Sequence, residues 1–352
     1  MKKFFTLLLS LAMILSLMAG CSKPADNNGD QPSGGEQNNE QTGEKKQLTV
    51  AMALNGTIND NGFNAAGYKS LAQLEQSYGC KTTYMESVQT SDMEDVMRAF
   101  AEDGADVIIG HGYQFADAIK KVALDYPEKY FIVSSGAACQ DSNVAGVYFI
   151  SEERGFIAGV VAALSTKSNS VAAMVAEQSS TFEDLMFGFE QGAKYINPDI
   201  NCKIVYAGTT TDSALVKSLA NNLITNEKVD VIFASCNSAT QGAIEACKDA
   251  GIYFINSTYD GHDTAPDTII VSAMIDYAQS VSYIVNDIIS GSFKPEVYYV
   301  GLQEKVFPLS SFYQFEEILG KDVIDKINDT YNKLTSGEIA IQYRSAEGYP
   351  NR

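Results

Sequence analysis

Short runs rich in apolar residues alternate along this chain with longer stretches of helical periodicity, and that alternation restricts the fold more than any other feature. Leu48–Leu54, Thr82–Met85, Val107–Ile109 and Phe131–Val133 read as strands, with helices over Ala65–Tyr78, Asp92–Glu102 and Phe115–Leu124. A second series has strands at Val171–Val175, Ile204–Tyr206, Val229–Phe233 and Ile252–Ile255, and helices at Leu185–Tyr195, Ala214–Thr225 and Ala239–Ala250. Strands that lack a polar face are covered on both sides, which is the condition of a parallel sheet between helices. Two such series predict an α/β fold of two doubly wound parallel-sheet lobes. Extended segments at Val144–Phe149, Thr268–Ser272 and Val297–Val300 predict a multi-crossing hinge, about which the lobes close on a cleft. The helix Tyr277–Ile289 falls between the last two and is expected against the first lobe.

The N-terminus has a different character. Lys2 and Lys3 precede an apolar stretch, Phe4 to Ala19, that runs into Met18-Ala19-Gly20-Cys21. A basic start, an apolar run and small residues before a break describe a secretory signal, and the run is shorter than the roughly 20 residues a membrane span needs. A cysteine after the small pair resembles the bacterial lipobox. Residues 1–21 are therefore expected to be a lipoprotein signal with Cys21 the lipidated residue, which places the chain on the extracytoplasmic face of a cell membrane. Residues 22–46 are built almost wholly from Asn, Gln, Gly, Asp, Glu, Pro and Ser and cannot bury enough to fold. They read as a flexible tether with ends on the order of 25–30 Å apart.

Residues 47–352, about 300 in number, are too many for one core of usual size and suit two domains. The expected division gives lobe 1 residues 47–149 plus about 273–299, and lobe 2 residues 150–272 plus about 300–352. A net charge of −19 argues against nucleic acid as a partner, because phosphate binding needs Lys/Arg clusters. Cys80, Cys139, Cys202, Cys236 and Cys247 show no paired spacing, so neither a disulfide framework nor a zinc site follows, and no cofactor is expected.

Ligands of open α/β sheets sit outside the carboxyl ends of the strands. The loops that follow the strands are Asn55–Gly67, Gly110–Asp117, Ser134–Asn143, Ala176–Asp184, Ala207–Leu215, Ala234–Gly242 and Asn256–Pro266, and they hold neither Lys nor Arg. Amides, hydroxyls, carboxylates and rings such as Phe63, Tyr113, Phe115 and Phe182 suit a neutral polyhydroxylated or heterocyclic ligand better than a nucleotide. The first loop, Asn59-Asp60-Asn61-Gly62-Phe63-Asn64, admits two readings. Phe63 stacks on a ring while Asp60 and Asn64 hydrogen-bond it; or Asp60 or Asn61 caps the next helix and Phe63 is core.

That loop resembles the Asp-x-x-Phe-Asn signature of the basic membrane protein family, the nucleoside-binding lipoproteins of bacterial ABC importers. Gly112 to Pro127, Glu153-Arg154-Gly155-Phe156-Ile157-Ala158-Gly159 running on to Lys167 (similar to the family's small-residue helix at the start of the second lobe), Phe187 to Ala193, Tyr206 to Thr209, Asp230 to Phe233 and Ser336 to Ile339 also resemble family segments, in family order. The resemblance implies a type I periplasmic-binding-protein fold, an ABC permease with its ATPase as partners, and a small nucleoside-like ligand. On matching positions it implies ligand contacts from Asp60, Phe63, Asn64, Asp260 and Phe182; Asn61 and Tyr113 of the cleft loops, with Ser135 and Asn237, complete the expected ligand-binding set. Departures fall on the cleft: Ser135 stands where the family usually has Asp, Asn237 and Ser238 where it has a glycine pair, Ala176-Glu177 in place of another, Thr258 in place of an acidic residue, and no lysine follows Ser272. Asn237 and Ser238 are expected to push their side chains into the cleft. Such changes fit a modified nucleoside, a free base or another small heterocycle.

A sugar-binding receptor of the same fold is the alternative; such sites commonly use Arg, which the cleft loops lack. Catalysis is not expected, because no HExxH, GxSxG, P-loop or GxGxxG pattern accompanies His111 and His262. A regulator of the LacI type needs an N-terminal helix-turn-helix where this chain has a signal and a tether.

Overall fold

A computed structural model of the chain describes residues 47–60, 62–138, 143–345 and Tyr349. Cys21, the tether, Asn61 and Cys139 lie outside the described residues. The first series runs β1 (Thr49–Leu54), α1 (Phe63–Tyr78), β2 (Lys81–Met85), α2 (Met93–Glu102), β3 (Val107–His111), α3 (Ala116–Ala123), β4 (Tyr130–Val133) and β5 (Val144–Phe149). Helix α4 (Ser151–Ser165) leads into the second series. That series comprises β6 (Ser170–Val175), α5 (Ser180–Ile196), β7 (Asn201–Tyr206), α6 (Ser213–Asn226), β8 (Val231–Ser235), α7 (Thr240–Ala250), β9 (Tyr253–Thr258) and β10 (Ile269–Met274). The chain ends with α8 (Tyr277–Ser290), β11 (Val297–Val300), α9 (Phe315–Leu319) and α10 (Lys321–Thr335).

The strands form a six-stranded sheet in the order β11-β5-β4-β3-β1-β2 and a five-stranded sheet in the order β10-β9-β8-β6-β7, with every strand pair parallel. The two-residue side-chain period divides each central strand between two cores. On β1, Val50, Met52 and Leu54 face the α1/α8 side, whereas Ala51 and Ala53 face α2 and α3. On β6, Val171, Ala173 and Val175 face α4 and α5, and Ala172 and Met174 face α6 and α7. Each sheet is therefore covered on both faces, as its unbroken apolar strands require.

The three extended segments are strands of these sheets, and the chain changes lobe after each. It leaves the first sheet at β5 for α4 and β6, and returns from the edge strand β10 to α8, which packs on the first core. After β11 it crosses again, where Leu309 bridges Ala273 and Phe312 and Phe315 enter the second core.

Helix α4 sits between the lobes: Phe156, Ile157 and Val160 join the first core, Ala158, Val161 and Ala162 the second. Its contact with α5 is unusually close. A Cβ on Gly155 would lie 2.0 Å from Leu185 O, one on Gly159 2.1 Å from Phe189 O, one on Gly188 2.0 Å from Glu152 O, and one on Gly192 1.9 Å from Phe156 O. Backbone meets backbone at four points, which leaves no room for a side chain and fixes the start of α4 rigidly beside the cleft.

Candidate ligand-binding site

Strand order reverses between β1 and β3 in one sheet and between β6 and β8 in the other, so successive helices depart to opposite faces and a crevice opens at each reversal. Residues following all four strands line one cavity of about 750 Å³, among them Asn55, Tyr113, Glu177 and Asn237. A volume in the range of a small-molecule pocket thus lies between the two sheets.

On the first lobe the wall is built around the start of α1. Asp60 accepts from Gly62 N (2.8 Å), Asn64 N (3.0 Å), Ala65 N (2.9 Å) and Asn64 Nδ2 (2.9 Å). Four donors fill the roughly four lone-pair sites of a carboxylate, so Asp60 caps the helix and does not line the cavity. Asn64, whose Oδ1 takes Gly56 N at 3.1 Å, is thereby pinned on the wall. Phe63 lines the cavity and stacks on His111 with ring centroids 3.9 Å apart and planes 21° from parallel. His111 is fully buried, with Nε2 2.9 Å from Phe63 O and Nδ1 2.8 Å from Ser134 Oγ. A carbonyl only accepts, so Nε2 carries the proton and Nδ1 accepts from the serine hydroxyl. Burial pushes this imidazole down to about 4, and it is neutral at physiological pH.

On the second lobe, Asn237 reaches across the cleft: its Oδ1 accepts from Phe63 N at 3.3 Å. Its backbone is left-handed, φ 51°, a conformation asparagine tolerates better than most residues. The expectation that Asn237 and Ser238 project into the cleft describes Asn237, whose side-chain oxygen serves an otherwise unpaired N–H at the first turn of α1; Ser238 does not line the cavity and donates instead to Thr210 O. Phe182 enters the cavity from the start of α5, and Ser235, Ser257 and Thr258 form a hydroxyl cluster on its floor.

The loops supply no cation, as their composition requires, yet the cavity has one. Arg154, in the first turn of α4, lines it at 4% exposure. Nη1 donates to Ser257 Oγ at 2.8 Å, Nε is buried without a partner, and the guanidinium carbon lies 5.8 Å from the Phe307 ring centroid. The ion pairs among the described residues leave it out. Burial lowers its pKa to about 10, so it stays charged at neutral pH. Glu152 and Glu153 precede it, but successive helical residues do not face one another. Glu152 instead accepts from Arg344 N and Tyr349 Oη, and Glu153 from Leu302 N. A buried cation near a helix N-terminus meets both a desolvation cost of order several kcal/mol and an unfavourable dipole. The expectation of a cavity without positive charge is thereby corrected.

Of the sequence-derived candidates, Phe63, Asn64, Tyr113, Ser135, Phe182 and Asn237 share the cavity. Asp260 does not: it lies on a second hollow of about 500 Å³ beside the hinge, where its carboxylate accepts from His262 N and Tyr313 Oη. The turn residues that follow it direct its side chain outward. His262 stacks on Tyr313 at 3.7 Å, and neither histidine lines the main cavity.

Two doubly wound lobes, three passages between them and a ligand-sized cavity at the facing switch points define a two-lobed solute-binding protein. The chain belongs to the Bmp family, ABC transporter substrate-binding proteins of the PnrA-like kind, whose model matches residues 47–345. It is 29% identical over 337 residues to the transcriptional activator protein med of Bacillus subtilis, covering 95% of this chain and 98% of that one. It is 27% identical to basic membrane protein D of Borreliella burgdorferi, covering 86% and 89%. The fold is similar to that of an ABC transporter solute-binding protein of Aeropyrum pernix, with a TM-score of 0.72 at 20% identity over 85% of this chain and 94% of the other. The family is one of binding proteins that deliver small molecules to a membrane transporter.

Proposed function

We infer that this chain is the membrane-anchored capture component of an ABC importer and that it holds a nucleoside or a related heterocycle between its lobes. One observation carries the ligand reading: each lobe contributes a phenylalanine ring, Phe63 or Phe182, to a wall that also carries the amides of Asn64 and Asn237 and the hydroxyls of Ser135, Ser235 and Ser257. The Phe63 ring is backed by His111, so one face is occupied and the platform is stiff. Asn64, Tyr113, Ser135 and Asn237 offer donors and acceptors suited to base edges and ribose hydroxyls. Contacts from both lobes favour the closed form, which docks on the permease; closure is driven by the ligand's differential affinity for the two states.

Calorimetry with purine and pyrimidine nucleosides, their free bases, pentoses and hexoses tests the reading. Nucleosides or bases should bind at micromolar concentration or below. Binding confined to the sugars would replace this ligand class by that of the sugar receptors of the same fold.

The anchor is proposed at Cys21, with residues 22–46 as the tether; no helix among the described residues is long and apolar enough to cross a membrane. Cys21→Ser should abolish incorporation of an alkynyl fatty acid and release the protein from the membrane fraction. Undiminished labelling would remove the anchor.

A further inference from the structure

The geometry points to Arg154 as the receptor for a carboxylate on the ligand, so that the captured heterocycle is a monoanion. This rests on the capture reading above and adds the charge of what is captured.

Arg154 is 96% withdrawn from solvent yet lines the cavity, with Nε buried and unpartnered and only Nη1 satisfied within the chain. Among the described residues no carboxylate pairs with it; the Phe307 ring centroid lies 5.8 Å from its guanidinium carbon, and the Tyr277 phenol is also near. Fully buried arginines are otherwise found paired. The position is also costly for the isolated chain, because a cation in the first turn of a helix opposes the dipole. Rigidity makes the placement deliberate: the glycine contacts between α4 and α5 leave the start of α4 no freedom to carry the guanidinium elsewhere. A guanidinium presents its N–H groups in a planar fork that matches a carboxylate in two parallel hydrogen bonds. A single such fork balances one negative charge and not two, and Glu177, the other charged side chain on the wall, adds negative charge of its own. That count separates a carboxylate from a phosphate dianion.

The test pairs neutral and acidic forms of one scaffold on the full-length chain in detergent: uracil with orotate, uridine with orotidine, and adenosine with its 5′-carboxylic acid and its 5′-monophosphate. At least one carboxylic acid should bind about tenfold or more tightly than its neutral parent, a difference of about 1.4 kcal/mol. Arg154→Gln should erase that preference, bringing the acid to the affinity of its neutral parent or below. Neutral compounds bound with no preference for the acid, or a preference that survives Arg154→Gln, overturn the inference and leave the heterocycle reading standing. Tightest binding by the monophosphate, lost in Arg154→Gln, overturns the carboxylate in favour of a phosphate. If only sugars bind, the heterocycle reading fails, and a preference for uronates over sugars that depends on Arg154 decides this one. Arg154→Met supplies a readout that needs no ligand. Removing an uncompensated buried cation should raise the melting temperature of the ligand-free chain or leave it unchanged, whereas a fall of more than about 5 °C would make the guanidinium structural and overturn the inference.

Discussion

His111 should make the stability of the first lobe pH-dependent in a definite window. In the folded chain the imidazole is held down to about 4 by burial, against 6.5 when free in the unfolded chain. Between these values the unfolded chain takes up a proton that the folded chain refuses, so unfolding is increasingly favoured as pH falls. The contribution is complete above pH 6.5, is lost between 6.5 and about 4, and changes no further below that. At about 1.4 kcal/mol for each tenfold change, the whole loss is about 3 kcal/mol. The structure explains why refusal is costly to reverse: protonating Nδ1 turns the serine hydroxyl from donor to acceptor and puts a charge beneath the Phe63 ring. Urea unfolding followed by circular dichroism at pH 7.5, 6, 5 and 4.5 measures the profile. His111→Gln keeps a donor for Phe63 O and cannot titrate, so the difference between wild type and variant isolates this group from carboxylates common to both. The difference should shrink by about 2–3 kcal/mol across the window. With two histidines in the chain, their Cε1–H resonances are readily assigned, and that of His111 should remain in its neutral position at pH 5. A His111 resonance that titrates near 6.5, or parallel stability profiles, would refute the reasoning.

Phe63→Ala should weaken nucleoside binding by about 1–3 kcal/mol, the range for base–aromatic stacking. Because the ring is only partly buried, its cost in unfolding free energy should fall short of the roughly 3–5 kcal/mol of a core phenylalanine. Calorimetry and urea unfolding separate the two, and a large stability loss with unchanged affinity would return Phe63 to the core. Asn237→Gly removes the hydrogen bond from Phe63 N across the cleft and relieves a left-handed backbone. Losing about 1 kcal/mol of closed-state stabilisation lowers the closed-to-open ratio of the ligand-free chain about fivefold, visible as a larger radius of gyration in solution scattering; an unchanged radius counts against the latch. Gly159→Ala drives a methyl into Phe189 O and should destabilise the chain by about 1–3 kcal/mol or more, which urea unfolding measures; unchanged stability would count against the close α4–α5 contact.

The sheets were legible because burial on both faces leaves its mark directly in composition. Val107–Ile109 and Val171–Val175 have no polar side chain to offer solvent, and the structure extends them by only a residue or two at their ends. Helix α4 escaped the periodicity because it is buried all round: with no polar face it has no 3.6-residue signal, and only family resemblance marked Glu153–Lys167 as helical. Arg154 was missed for the same reason. The search for cleft residues followed the loops after strands, and this side chain comes from a helix. The signal was nevertheless present, since an arginine beside Gly155-Phe156-Ile157-Ala158-Gly159 has no solvent-facing side to occupy. The resemblance implies ligand contacts from Asp60 and Asp260, but a carboxylate serves equally well as a helix cap or in a turn. What decides between those roles is which donors are already in place, and four N–H groups around Asp60 are a matter of three-dimensional geometry.

Positive potential converges on the cleft at the N-terminus of α1 and at Arg154, and the chain treats the two oppositely. The first is the N-terminus of α1, a sixteen-residue helix whose leading N–H groups would draw any acceptor in the cavity. Asp60 takes the N–H groups of Gly62, Asn64 and Ala65 from one lobe, and Asn237 takes that of Phe63 from the other. The protein's own oxygens thus fill the site an anion would otherwise seek, and the same bond draws the lobes together. The second is Arg154, which the chain leaves with a buried N–H unmatched. A negatively charged group entering this cavity therefore finds the N–H groups of α1 already taken and is accepted at the start of α4. Because α4 contributes to both cores, a bond formed there acts on the element about which the lobes are joined. Ligand charge and lobe closure are coupled at one residue, and removing it by Arg154→Gln should lower the affinity for an anionic ligand and the degree of closure that ligand induces together.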